Sequence, residues 1–218
     1  MLETAMTIAT TEGLEALTIA RLCEALQMSI GGLYRYFPSK EAIYTALQTE
    51  TILRFQVFWQ EAVDRARSAA TGADAQAIAL QLVGVGFQAY LDHAVAVPVE
   101  HRLMDSFLSS PDQLLSDDQA RQVETVLGPL VADFAGLFAA AAACGALAPG
   151  DALVRTHVTW AALHGLDHMR KRDRILPEAL RVGALVTATM DALLIGWGAD
   201  PVRLNASRNS QAQQLPLP

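Results

Sequence analysis

Between Thr18 and Glu41 the chain reads as two short helices, a tight turn and the start of a third helix. Thr18 can cap a helix in which Ile19, Leu22, Cys23 and Leu26 fall at i, i+3, i+4 and i+7, one buried face of a 3.6-residue period. Gln27 and Met28 break that pattern. Ser29 then caps a second short helix, where Leu33 and Phe37 point inward and Ile30, Gly31, Tyr34, Arg35 and Tyr36 point outward. Pro38 stops it. Two glycines, Gly31 and Gly32, cost so short a helix roughly 1 kcal/mol each relative to alanine, so they require a compensating reason. Close approach of the backbone to a ligand is one. A helix-turn-helix of this kind makes double-stranded DNA the leading candidate partner.

The same residues carry a family resemblance. Leu33 to Ala42, preceded by Thr18 to Leu22 and by Glu12 to Thr18, resembles the N-terminal domain of the tetracycline repressor (TetR) family. The match is specific over residues 1 to about 50 and architectural beyond. The resemblance implies that the helix opened by Ser29 enters the major groove and that the helix opened by Thr18 crosses the backbone. By position it carries phosphate contact to Thr18, Tyr34, Tyr36 and Lys40, and base-edge contact to Ser29, Ile30, Gly31 and Gly32. Arg21 and Arg35 complete the DNA-facing set. Gln27 stands where the family usually has glycine, and Tyr36 where it often has histidine.

Charge adds a constraint. The chain of 218 residues has a formal charge of −7, whereas non-specific DNA affinity comes mainly from neutralising phosphates. Within residues 1 to 50, Arg21, Arg35 and Lys40 face Glu3, Glu12, Glu15, Glu24, Glu41 and Glu50. Positive charge is sparse and has to be well placed. Met1 sits at the start of the first helix, so either the true start lies upstream or the chain lacks a basic arm.

A hydrophobic content of 52%, rich in alanine, suits an all-α protein with a core larger than the first domain needs. Breakers divide the remainder into helices: about 39 to 66, 75 to 94, 99 to 108, 118 to 144 with Pro129 as an expected kink, 151 to 172, and 177 to 197. The expected architecture is a three-helix helix-turn-helix domain (1–46), a helical effector-binding and dimerisation domain (47–198), about nine helices in total, and a mobile polar tail (199–218). The longest uncharged run, Phe134 to Ala148, is too short to span a bilayer and reads as a buried helix. With no signal peptide expected, the chain is placed in the cytoplasm, off the membrane, with Cys23 and Cys144 as buried thiols.

In the resembled family the last two helices of each subunit form a four-helix bundle across a two-fold axis. Here they carry His157, Ala161, His164, Gly165 and His168, then Leu180, Gly183, Ala184, Thr187 and Trp197, faces suited to a homodimer on a palindromic operator. His164 and His168 have a spacing that can hold an ion, with Asp167 nearby, yet no Cys-x-x-Cys or Glu-x-x-His accompanies them. A polar dimer interface is the preferred reading, with neither metal nor cofactor. The resemblance also implies a small-molecule pocket. Helices five to seven present Phe87, Tyr90, Met104, Phe107, Phe134 and Phe138, with His93, His101, Arg102 and Cys144 as polar anchors, which suits a hydrophobic or amphipathic effector. No nucleophile with a convergent base, phosphate loop or carboxylate pair supports an enzyme. The expectation is a ligand-released repressor; the alternative is a binding module whose helix-turn-helix does not contact DNA.

Overall fold

A computed structural model describes residues 1–13, 16–70, 74–109 and 115–214, with side chains for 1–13, 16–70, 74–105 and 115–208. Its ten α-helices are α1 (Leu2–Thr11), α2 (Ile19–Leu26), α3 (Ile30–Tyr34), α4 (Lys40–Ala69), α5 (Ala75–Ala96), α6 (Pro98–Ser109), α7 (Asp117–Ala143), α8 (Ala152–Asp167), α9 (Val182–Gly196) and α10 (Pro201–Gln214). Short 3-10 turns lie at Arg170–Arg172 and Glu178–Leu180. Among the described residues there is no strand, and the fold is all-α as the sequence predicts.

The chain forms two compact units, and they do not divide where the sequence predicts. The first comprises Met1–Val57 together with Asp92–Pro129. Its core gathers Ala5, Met6, Ile8 and Ala9 of α1, Leu22 and Cys23 of α2, Leu33 of α3, Ile43 and Leu47 of α4, and Leu103 of α6. Val99 of α6 packs against the same cluster. The sixth helix therefore belongs to the helix-turn-helix unit, not to the second domain. Arg54 of α4 ties the edges together, binding Glu50 (2.9 Å), Glu3 of α1 (2.5 Å) and Glu100 of α6 (3.4 Å). These carboxylates, the Glu50 hydrogen bond foremost, push the guanidinium pKa further up.

The second unit comprises Phe58–Leu91 and Leu130–Pro218. Its centre is aromatic. Phe134 lies 4.8 Å from Trp59 and 4.9 Å from Phe87, and Phe138 lies 5.5 Å from Trp197 in an edge arrangement, all ring centroid to centroid. Such pairs add to the burial of their area. By length and composition α7 could cross a membrane, but Phe134, Leu137 and Phe138 are buried in this core. Beyond Ala199 the chain differs from the expected mobile tail. Pro201–Gln214 is helical, with Leu204 and Ser207 buried and with Arg203–Asp74 and Arg208–Asp191 ion pairs holding it. Two buried positions and two charge pairs anchor a segment whose overall polarity hides them. Both thiols are free; Cys23 is buried, and Cys144 is half-buried rather than fully so.

In the first unit, His93 and His101 are both buried, with their Nδ1 atoms 3.3 Å apart and the His93 ring 4.9 Å from Phe55. Burial pushes the His93 pKa down to about 4. The unfolded chain then takes up its proton at a higher pH, near 6.5, while the folded chain does not. Stability contributed by this group is complete above pH 6.5 and falls toward pH 4, by up to about 1.4 kcal/mol per pH unit. Urea unfolding between pH 7.5 and 4.5 should show this slope, and His93→Gln should flatten it relative to the parent chain. Equal slopes would mean that His93 does not titrate in this window.

Candidate functional site

Local chemistry fixes the helix-turn-helix. The Thr18 hydroxyl oxygen accepts from Arg21 N–H (3.1 Å) at the start of α2, and Ser29 Oγ accepts from Gly32 N–H (3.1 Å) at the start of α3. Each satisfies a donor that helix geometry leaves unpaired. Between them Gln27 stands at φ 52°, ψ 41°, the left-handed conformation that favours glycine. That is how the turn is made without the family's usual residue. Ser39 Oγ accepts from Ala42 N–H (3.2 Å) and places Lys40 in the first turn of α4.

Most of the predicted DNA-facing set is exposed: Thr18, Ser29, Gly31, Arg35 and Lys40, with Ile30 at 54%, Tyr34 at 43% and Tyr36 at 60%. A large apolar residue and two tyrosines left in water on five residues of helix and its exit are unusual for a purely structural element. Arg21 differs. Its guanidinium makes two bonds to Glu12 (2.6 and 2.8 Å) and approaches Glu24 at 3.5 Å, and the Glu12 carboxyl is held below the usual carboxylate range by that hydrogen bond. Arg21 thus fastens α2 to the end of α1. Arg35 and Lys40 remain as the outward cations, with Lys40 Nζ 5.4 Å from the Tyr44 ring centroid.

The two glycines separate by geometry. A Cβ on Gly32 would stand 3.3 Å from the capping Ser29 Oγ, so its own fold accounts for it. A Cβ on Gly31 would meet nothing within 4 Å. Nothing in the protein requires glycine at that exposed position.

A family model for bacterial regulatory proteins of the tetR family matches residues 1–47. Over those residues the chain is similar to the N-terminal domain of the TetR family. By structure it is similar to a protein of unknown function from Rhodococcus sp. RHA1, with a TM-score of 0.66 and 23% identity over 90% of this chain and 92% of that one. It is similar too to RolR in complex with resorcinol (TM-score 0.62, 16% identity, 100% and 92% covered). The third is AibR in complex with isovaleryl coenzyme A and operator DNA (TM-score 0.54, 15% identity, 88% and 95% covered). These likenesses establish the fold as TetR-like. A sequence comparison with curated proteins finds no match.

The expected effector residues are divided between the two units. His101 and Met104 are buried in the first unit, where Arg102 is exposed, and the Phe107 side chain lies outside the described residues. Phe87, Phe134 and Phe138 fill the aromatic core of the second unit, and Tyr90 Oη lies 3.0 Å from His164 Nδ1. The second unit instead holds an open cleft of about 540 Å³ between the second half of α4, the first half of α5 and the second half of α7. Its lining includes Trp59, Val63, Ile78, Leu82 and Leu137, together with Cys144, one of the expected polar anchors. The series Ala132, Gly136, Ala140 at four-residue steps is a further sequence trace of it.

Of the residues expected at a TetR-family dimer interface, His157, Ala161, Gly165, His168, Leu180, Gly183, Ala184 and Thr187 are exposed. His164 is half-buried between Trp160 and His168, and Trp197 packs inward on Phe138 and Arg155. Sequence reasoning missed Leu153 (51% exposed), Val154 and Val158, which extend the same face of α8 toward its N-terminus. Like Gly31, the exposed Gly165 and Gly183 have open space where a Cβ would be.

Replacing Gly31 separates the protein's needs from those of its partner. Gly31→Ala should stabilise the fold by up to about 1 kcal/mol through helix propensity. The same variant should bind operator DNA at least about tenfold more weakly, a cost of about 1.4 kcal/mol. Chemical denaturation and a binding titration measure the two effects, and unchanged DNA affinity would remove α3 from the contact surface.

Proposed function

We propose that the chain is a homodimeric transcriptional repressor that binds a pseudo-palindromic operator and is released by a small molecule. The observation that carries this reading is the exposed surface of α3, where Ile30, Tyr34 and a glycine without a packing role stand together. Thymine methyl groups give Ile30 an apolar partner in the major groove, and Gly31 lets the backbone come close to a base edge. Tyr34, Tyr36 and Lys40 are placed to hold phosphates and fix the register. Such a protein works in the cytoplasm, where the operator is.

The exposed apolar face of α8 and α9 supports the dimer, since Leu153, Val154, Val158 and Ile195 are large apolar groups that one chain leaves in water. A two-fold pairing through it would present two α3 helices to two half-sites. RolR bound to resorcinol, and AibR bound to isovaleryl coenzyme A and operator DNA, support the ligand response. A ligand that favours a dimer with wrongly spaced recognition helices would weaken operator binding by a coupling of about 1 to 3 kcal/mol.

Because Glu12 occupies Arg21, each subunit offers two side-chain cations, Arg35 and Lys40, to phosphates. Four contacts in a dimer give a slope of log affinity against log salt of about −4. Lys40→Ala should make it shallower by about 1 per subunit, for all DNA sequences alike, while Arg21→Gln leaves it unchanged. Titrations against the gene's own upstream DNA at several salt concentrations decide this. Absence of salt-dependent binding by the parent chain would favour the module that does not contact DNA.

For the interface, Ala161→Asp buries an unpaired charge if α8 meets its symmetry mate, which is strongly destabilising to the dimer. Sedimentation should then report monomer or insoluble protein. A soluble variant of normal dimer mass would place the interface elsewhere.

A further inference from the structure

We infer that His164 and His168, at the C-terminal end of α8, form a binding site for a late first-row dication such as Zn(II), with Tyr90 of α5 as a positioning residue behind it. The spacing, i and i+4 on one helix face, is all that the sequence shows, and alone it reads as a polar interface. The structure adds geometry. A ring nitrogen of one histidine lies within 4.8 Å of a ring nitrogen of the other, and the ring centroids are 4.3 Å apart. An ion at about 2.0 to 2.1 Å from each donor spans up to about 4 Å between them. His168 is exposed and can turn its ring to close the remainder.

His164, by contrast, is held in place. Its ring stacks on Trp160 at 4.9 Å with 24° between the planes, and its Nδ1 lies 3.0 Å from Oη of the buried Tyr90. When Nδ1 carries the proton it donates to that oxygen, and Nε2 keeps the lone pair that an ion needs. Metal-bound histidines commonly donate their other ring N–H in this way, which fixes the tautomer and makes the coordinating nitrogen more basic.

Chemistry selects the ion. Imidazoles suit Zn(II), Ni(II) and Cu(II), whereas Mg(II) and Ca(II) seek oxygen donors. Position favours a dication as well, since α8 ends at Asp167 and the C-terminal end of a helix is the negative end of its dipole. The next cation along the chain, Arg170, is bound by Asp167 at 2.7 Å. Two protein donors leave positions on the ion for water. Leu153, Val154 and Val158, the large apolar groups of α8 offered to a second copy, lie toward its other end. The pair would hold an ion whether or not α3 meets DNA.

Full-length protein stripped of metal by a chelator is titrated with Zn(II) by calorimetry. Zn(II) should bind, and Mg(II) at the same concentration should give no binding heat. His164→Gln and His168→Gln should each weaken Zn(II) binding at least about tenfold, and Tyr90→Phe, which removes only a hydroxyl, about 10- to 100-fold. His157→Gln is the control. That residue is exposed on the same helix, with Nδ1 2.8 Å from the Leu153 carbonyl oxygen, and its loss should leave the affinity unchanged. Ni(II), a short-range quencher of indole emission, should dim the fluorescence of the parent chain, and Trp160→Phe should remove most of that quenching. Absence of Zn(II) binding by the parent chain would overturn the site. Binding that survives both His164→Gln and His168→Gln, or quenching unchanged in Trp160→Phe, would overturn its location. Unchanged affinity in Tyr90→Phe would overturn the positioning role, and equal binding of Mg(II) would overturn the selection by imidazole.

Discussion

Leu103 is 1% exposed and belongs to a buried cluster whose other members come from α1, α2, α3, the start of α4 and Leu17. Losing a buried leucine costs about 2 to 5 kcal/mol, a large share of a domain's net stability of about 5 to 15 kcal/mol, so α6 is firmly part of the helix-turn-helix unit. Arg54 adds a polar tie on the same side, with Glu3 and Glu100 on one guanidinium. The helix-turn-helix unit is therefore larger than the 47 residues that match the family model. A force on α6 acts on the same packed core that orients α3, because close-packed interiors transmit strain. This gives a physical route from the middle of the chain to the DNA surface: one core, with two entries into it from sequence.

That route is not legible in the sequence, and the reason is distance along the chain. The caps at Thr18 and Ser29, the stop at Pro38 and the four-residue rhythm of α2 are local signals, readable because each acts within a few residues. Leu103 belongs to a core whose other members lie 56 or more positions away, and no periodicity within α6 says which core it joins. Arg21 shows the same limit at shorter range. As a lone cation it reads as a phosphate ligand, but Glu12, nine residues earlier across a turn, already holds it. The aromatic set shows a related limit. Phe87, Phe134 and Phe138 have the composition of a ligand pocket and the packing of a core, and composition alone cannot separate the two. The polar stretch after Ala199 is the converse, since two buried side chains and two ion pairs are enough to order a helix that its average composition disfavours.

Glycines without a packing role tie the sites together. Gly31 on α3, Gly136 on α7, Gly165 on α8 and Gly183 on α9 lie inside helices, where each costs about 1 kcal/mol relative to alanine. Gly86 is different: a Cβ there would stand 2.8 Å from Leu137 and 3.1 Å from the Trp59 indole nitrogen, so the core itself demands glycine. At Gly31, Gly136, Gly165 and Gly183, and at Gly196 at the end of α9, a Cβ would meet nothing within 4 Å. In the proposed reading Gly31 faces a DNA groove, and Gly165 and Gly183 face a second copy of the chain.

Charge limits how those surfaces can work. A chain at −7 whose helix-turn-helix turns Arg35 and Lys40 outward has little long-range attraction for a polyanion. In the proposed reading its recognition relies on contacts that form only at close range: hydroxyls of Thr18, Tyr34 and Tyr36, and the apolar surface of Ile30. Such contacts are sensitive to position at the scale of a hydrogen bond, about 3 Å. Electrostatic steering tolerates a shifted helix, whereas a surface of this kind does not. A weakly charged DNA face is thus suited to release by a small displacement, since losing alignment leaves little residual attraction to hold the protein on DNA.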